Sequence, residues 1–427
     1  MTDIRVGVPW NAPGLLRFNG DHPLPGSLVA DYPGYSFDFT LSPADAAHLK
    51  EADAAADALR RALRGQTPTP SIETVEEFIV SRGLQTQAMM LAPCDLHFLH
   101  TAPLTLGIRP WILHVEELIT MFAPFVWHGT SANVRIRDLP VFRMVKYLLE
   151  SPGCRAVFSH LKHSHDYLPV LFDSPGLAAK AHHIPLGVEF SSAATKKIAE
   201  RQGQRGEVPG TTFLFTNSWS QQEGSFILRG GSDVIGAFLE LVAKYPACHL
   251  IILSTLPVSH YGEGFAEFVR KLPNIHLIEH RVSDDELVDL MMAADVFLIP
   301  SVGLHALSVL RAMYCGLAVV VSDAPGNEEF ITDNENGVVV QGRRGKTAWY
   351  DETGFLHQTF EPVFATKLGD FAGNLYRAME QLVTNPERRK RIGAAAREYV
   401  RQHHRIEEWR AGFRAILDQV RPTLGRS

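Results

Sequence analysis

The chain has 427 residues, 45% of them hydrophobic and 21% charged, and a net charge of −6 with its 19 histidines neutral. This is the composition of a folded chain, not a disordered one, and at roughly 100–200 residues per domain it predicts two or three domains. The acidic balance argues against a protein that coats nucleic acid. Cys94, Cys154, Cys248 and Cys315 lie far apart with no C-x-x-C pair, which suits reduced thiols better than a disulfide framework or a zinc site. The opening MTDIRVGVPWNAPG has no long apolar run, so no signal peptide is expected. No stretch reaches the roughly 18 apolar residues of a membrane span, and a cytoplasmic location is expected.

In chain order, IRVGVPW (4–10) reads as the first strand. Residues 42–87 read as helical. Arg60, Arg61 and Arg64 there form a surface face that could weakly touch an anionic membrane. DLHFLH (95–100), WILHV (111–115) and AVFSH (156–160) are strand-like. HIPLGVEF (183–190) and the polar RQGQRGEVPG (201–210) mark a boundary. Beyond it, TFLFTNS (212–218), HLIILS (249–254), IHLIE (275–279), VFLIPS (296–301), AVVVSD (318–323) and NGVVV (336–340) read as strands. Between them, 232–245, 264–272, 283–294 and 306–316 read as helices. Ser283 and Glu286 have capping-box spacing, and Gly316 is a helix stop. The strands are short and continuously apolar, as strands covered on both faces are. Alternating with helices, they predict an α/β chain of two Rossmann-like, doubly wound domains. Such sheets bind ligands at the carboxyl ends of their strands. Helices rich in Arg with interleaved Glu close the chain and read as solvated faces.

Four features suggest chemistry. NSWSQQEGSFILRGGSDVIGAF (217–238) runs from a strand end at Ser218 to a helix start at Arg229-Gly230-Gly231. Free amides, glycine and a guanidinium together suit a diphosphate; the alternative is an ordinary turn. PSVGLHAL (300–307) makes a second helix N-terminus at the same sheet edge, or simply a tight turn. His114 ends a strand of the first domain, a place for either a substrate contact or a structural histidine. His160, His163, His165, His182 and His183 form a cluster without recognised metal-ligand spacing, so polar surface or cleft residues are the better reading. There is no P-loop, G-x-G-x-x-G after a strand, G-x-S-x-G or H-E-x-x-H.

VFLIPSVGLHALSVLRAMYCGLAVVVSDAPGNEEFITDNENGVVV (296–340) resembles the C-terminal domain of GT-B glycosyltransferases, most like the retaining family 4 (glycosyl transferases group 1). HIPLGVEF, RGGSDVIGAFLEL, VSDDELVDLMMAADVFLIPS and WILHVEEL extend the likeness. The resemblance implies two domains facing each other across a cleft: 1–190 for the acceptor and 191–400 for a nucleotide-sugar donor, with 401–427 crossing back to the first. It implies a sugar transferred with retention from a nucleotide-diphosphate sugar to an unidentified acceptor, without a metal or other cofactor. His114 and Arg229 would be catalytic. Ser218, Gly230, Gly231, Arg281, Val282, Gly303, Leu304, His305, Ala306, Leu307 and Arg311 would hold the donor. Gly303 and Arg311 stand where the family has two Glu residues, and Trp219 near a phosphate-binding Arg. Arg311 therefore has to find an anion: a ligand is favoured, with Glu328 or Glu329 as the protein alternative. The other functional readings are a catalytically impaired GT-B paralogue serving as a binding or scaffold partner, and a phosphorylase or epimerase on the same fold.

Overall fold

The computed structural model describes residues 3–8, 23–38, 94–103, 105, 109–122, 134–138, 140–201, 210–217, 223–344, 357–358 and 371–424. The helical reading of 42–87, with Arg60, Arg61 and Arg64, and the positions Ser218 and Trp219 lie outside them. The chain divides into two compact units. One comprises Met1–Gly187, Trp349–Gln358 and Ile406–Ser427; the other Val188–Ala348 and Thr359–Arg405.

The first unit is built on strands β1 (Ile4–Gly7), β2 (Tyr35–Asp38), β3 (Leu96–His100), β4 (Trp111–His114), β6 (Cys154–Ser159) and β7 (Ala181–His183). All pair in parallel, in the order β2-β1-β3-β4-β6-β7. The short β5 (Val134–Arg135) pairs antiparallel with β14 (His357–Gln358). Every residue of β3 and β4 is buried, histidines included. The helix Ile406–Val420 belongs to this unit. Phe413 packs 4.8 Å from Phe98, Trp409 Nε1 donates to Ser27 Oγ at 3.0 Å, and Tyr35 donates its phenol to Asp418 at 2.8 Å.

The second unit holds β8 (Thr212–Thr216), β9 (His249–Leu253), β10 (Ile275–Ile278), β11 (Val296–Ile299), β12 (Ala318–Ser322) and β13 (Val338–Val340). These are also all parallel, in the order β10-β9-β8-β11-β12-β13. Counted from β8, that is the 3-2-1-4-5-6 order of a dinucleotide-binding sheet. The order reverses between β8 and β11, and their carboxyl ends therefore open the crevice where such sheets take ligands. Phe213, Phe215, Phe226 and Phe238 are wholly buried around this junction. Each contributes roughly 1.5–3 kcal/mol.

Helix ends follow the sequence signals. Ser283 Oγ accepts from the Glu286 amide, and the Glu286 carboxylate accepts from the Ser283 amide at 2.7 Å, a complete capping box. Gly316 has φ +76°, Leu317 N–H reaches the Ala312 carbonyl and Gly316 N–H the Met313 carbonyl. That is the Schellman closure that a C-terminal glycine permits. All four cysteines are buried free thiols. Among the described residues no helix is long and apolar enough to cross a membrane.

Candidate functional site

In the second unit, two loops meet where the strand order reverses. The one after β8 contains a short helix, Glu223–Leu228, not foreseen in the polar stretch, and then turns at Arg229-Gly230 into the helix Gly231–Lys244. The one after β11 runs through Pro300–His305 into the helix Ala306–Tyr314. The Val302 amide donates to the Leu228 carbonyl at 2.9 Å, joining them. Gly230 has φ +83°, and a Cβ there would lie 2.6 Å from the Pro300 carbonyl oxygen; one on Gly231 would lie 2.5 Å from the Phe226 ring. The glycine pair thus lets the two loops close on each other, and this close approach is made to protein atoms.

Neither helix start has a side-chain cap: Gly230 and His305 occupy the cap positions without one. The first-turn amides of such helices lack intrahelical acceptors and carry the positive end of the dipole. Arg229 is partly buried beside the first of them, its Nη1 3.4 Å from the Thr216 carbonyl at the end of β8. Among the described residues no carboxylate pairs with it. Burial lowers its pKa to about 10, which leaves it a cation at neutral pH. Ser232 in the same first turn donates to the Tyr261 phenol oxygen at 3.0 Å, a contact sequence reasoning missed.

The third residue of that helix, Asp233, is paired with buried Arg343, whose guanidinium lies 4.3 Å from the Phe371 ring centre. Asp323, after β12, accepts the amides of Gly342, Arg343 and Arg344 at 3.1, 2.7 and 3.1 Å and so places Arg343. Ser322 donates its hydroxyl to the Ser301 carbonyl, and Asn327 Nδ2 donates to the Ser322 carbonyl at 3.0 Å, tying a third loop to the second. Of the expected donor residues, Arg229, Gly230, Gly231 and Gly303 to Leu307 are therefore brought to one sheet edge. Arg281 and Val282 lie just before the Ser283 cap, after the outermost strand β10.

In the first unit His114 is fully buried. Its Nδ1 is 3.0 Å from His100 Nδ1 and its Nε2 3.3 Å from His160 Nδ1. Both nitrogens are thus engaged by other histidines, a setting different from the expected substrate-facing one. His160 is 2% exposed and so is not the surface or cleft residue expected of it. His163 and His165 stand apart on the helix Lys162–Leu171, His165 against Asp166. His100 was missed, although DLHFLH and WILH both end on histidine and their strands pair in register, His100 beside His114. Among the described residues no trio of His, Cys, Asp or Glu is placed to hold a metal ion.

On β3, His97 is 1% exposed and faces Gly7 and Cys94, where a Gly7 Cβ would lie 3.0 Å from its ring. Burial, helped by the charge of Arg109, pushes its pKa down to about 4. A lowered histidine pKa gives stability that is present above the unfolded value of about 6.5 and lost as pH falls towards 4, in total about 3 kcal/mol. Glu117 works with the opposite sign, its carboxyl raised by burial and by Glu116. The His97 share is therefore read as a difference: in urea titrations from pH 7 to 4, His97→Asn should lose stability less steeply than the parent chain.

Residues 228–358 match the family described as Glycosyl transferases group 1, a span that takes in the Arg229-Gly230 turn and the whole of the second loop. Solved structures cover nearly the whole chain. HepE of Anabaena in complex with UDP is 14% identical over 97% of this chain and 99% of its own, with a TM-score of 0.54. The UDP-forming α,α-trehalose-phosphate synthase of Burkholderia xenovorans is 12% identical over 98% and 99%, with a TM-score of 0.58. The fold is GT-B. Sucrose-phosphate synthase of Thermosynechococcus elongatus shares it at 16% identity over 82% and 79%, with a TM-score of 0.55. No curated protein matches the chain in sequence.

In this GT-B chain Arg311 meets a protein acid, but neither of the two expected. Its Nη1 and Nη2 each lie 3.2 Å from a carboxylate oxygen of Asp284, at the start of the helix Asp284–Ala293, and its guanidinium is 5.8 Å from the Phe190 ring centre. Glu328 is instead paired with Arg344. Asp284 is 78% exposed, so the penalty expected for breaking a buried pair does not apply. Arg311→Ala should cost about 1 kcal/mol, as a solvent-screened pair does, measured as the shift in urea midpoint.

Proposed function

We propose that the protein is a glycosyltransferase whose second unit binds a nucleotide-diphosphate sugar and whose first unit handles the acceptor. The observation that carries this reading is Arg229: a partly buried cation, with no carboxylate partner among the described residues, beside the uncapped start of Gly231–Lys244 where the strand order reverses, on a loop bonded to the one that leads into the uncapped start of Ala306–Tyr314. Breaking a glycosyl–phosphate bond leaves negative charge on the diphosphate. Arg229, the first-turn amides of Gly231–Lys244 and those of Ala306–Tyr314 would meet that charge with preoriented dipoles. Protein cations and helix dipoles then supply what a metal would, so the transfer needs none. The group 1 segment and the UDP held by the Anabaena structure support a nucleotide-sugar donor. Retention at the anomeric carbon is part of the proposal, on the strength of the family resemblance.

The test is release of nucleoside diphosphate from UDP-, GDP-, ADP- and dTDP-sugars by the full chain. Turnover of any one donor supports the enzyme. Binding without turnover would favour the scaffold reading, which rests on Gly303 and Arg311 standing where the family has glutamates and on Arg311 being committed to Asp284.

A further inference from the structure

The loop after β9 contains the short helix Val258–Tyr261 and is fastened to the loop after β8 at two points. Glu223, which opens the helix Glu223–Leu228, accepts the Ser259 amide at 2.9 Å and the Ser259 hydroxyl as well. Ser232 Oγ donates to the Tyr261 phenol oxygen at 3.0 Å. Leu256, 2% exposed, roots the same loop in the core of the second unit. The Tyr261 ring packs 5.0 Å from Phe265, on the helix Glu263–Arg270. The amides of Tyr261 and Gly262 close the turn on the carbonyls of Pro257 and Val258, at 3.1 and 2.8 Å. The phenol is thus held at its ring and at its oxygen, and Tyr261 is still 36% exposed.

The two hydroxyls carry one hydrogen each, and a bond between them uses one. The Ser232 hydrogen fills that bond. The Tyr261 hydrogen is left over, and among the described residues no acceptor takes it. The acids nearest to the pair along the two loops are engaged elsewhere: Glu223 accepts from Ser259, and Asp233 is paired with Arg343. Ser232 is the second residue of the helix Gly231–Lys244, whose start has no side-chain cap. The amides of such a turn lack intrahelical acceptors and carry the positive end of the dipole. The spare hydrogen therefore lies one hydrogen bond away from a turn that attracts negative oxygen. A hydrogen bond to a charged oxygen is shorter and roughly twice as strong as one between neutral groups. A neutral phenol also adds a donor there without repelling the Arg229 guanidinium.

We propose that Tyr261 is a donor-binding residue whose phenol hydrogen goes to a diphosphate oxygen of the nucleotide-sugar. Ser232 is its positioning residue, and the bonds from Ser259 to Glu223 hold its loop in place. The inference rests on the nucleotide-sugar reading above and adds to that site a side chain from the loop after β9, which neither the Arg229-Gly230 turn nor the Pro300–His305 loop supplies. The other role open to this phenol is to fasten the loop and nothing more. The two roles differ in what each hydroxyl does: removing either one breaks the bond between them, but only removal of the phenol hydroxyl takes away the spare hydrogen.

The experiment is calorimetric titration of the full chain with UDP, GDP, ADP and dTDP, repeated on Tyr261→Phe and Ser232→Ala, with urea midpoints showing that each protein is folded. Tyr261→Phe keeps the ring against Phe265 and loses only the hydroxyl. The two variants should shift the urea midpoint alike, since both lose the same bond. Affinity for the diphosphate that the parent chain binds should fall about 10–100-fold in Tyr261→Phe and no more than about threefold in Ser232→Ala. A loss in Tyr261→Phe no greater than that in Ser232→Ala would overturn this inference and leave the donor reading standing. A parent chain that binds none of the four diphosphates would overturn both.

Discussion

Arg343→Ala should lower the stability of the second unit by about 3–5 kcal/mol, the cost of breaking a buried ion pair from one side. Arg343 is 3% exposed and its partner Asp233 11%. Removing the guanidinium would take from the buried Asp233 carboxylate the cation paired with it and would empty the space beside Phe371. The double variant Arg343→Ala/Asp233→Ala should regain part of the loss, because no charge is then stranded. Urea denaturation of the full chain measures both, read on the transition that reports the second unit. The pair also bears on the candidate site. Asp233 lies in the first turn of Gly231–Lys244, where an unneutralised carboxylate would repel a phosphate. Arg343→Ala should therefore weaken nucleotide binding even under conditions where the unit stays folded.

Arg229→Ala should do the reverse: leave stability within about 1 kcal/mol and lower donor affinity by about 10–100-fold. The guanidinium makes one long bond to the Thr216 carbonyl and pairs with no carboxylate among the described residues, so its removal strands no charge. A hydrogen bond to a charged group contributes about 1.5–3 kcal/mol, which sets the affinity change. The loss should be greater for a nucleoside diphosphate than for the matching nucleoside, because only the former carries the anion. Arg229→Lys should recover part of it as a point charge, without the planar fork. Titration of UDP and uridine into both variants measures the contrast.

How legible these features were in the sequence depended on range. The second sheet could be read because VFLI and AVVV are buried along their whole length, and a continuous apolar run states that directly. In the first sheet, YSFD and AHH gave no such signal. They are strands because β1 and β6 offer them parallel partners, which a local pattern does not show. The helix within the 217–228 loop was hidden by its polar opening. Arg229 and the helix starts were legible because glycine and arginine at a strand–helix junction carry their chemistry locally. The reading of Gly230 and Gly231 as clearance for phosphate missed that Pro300 and Phe226 fill the space where their side chains would be. Arg311 was rightly expected to need an anion, but its partner comes from a helix start 27 residues earlier. The histidine chain was hidden for the same reason. His100 and His114 end neighbouring strands and His160 follows a third, and only the pairing of β3, β4 and β6 brings them together.

The central claim is that the second unit holds a nucleotide diphosphate at the reversal of its strand order, with Arg229 against the phosphates. Calorimetric titration of the full chain with UDP, GDP, ADP and dTDP and their sugars, repeated on Arg229→Ala, tests it most directly. The account predicts saturable binding of at least one of these ligands, weakened about 10–100-fold in the variant. Absence of binding by every one of them, or equal affinity in parent and variant, would contradict it.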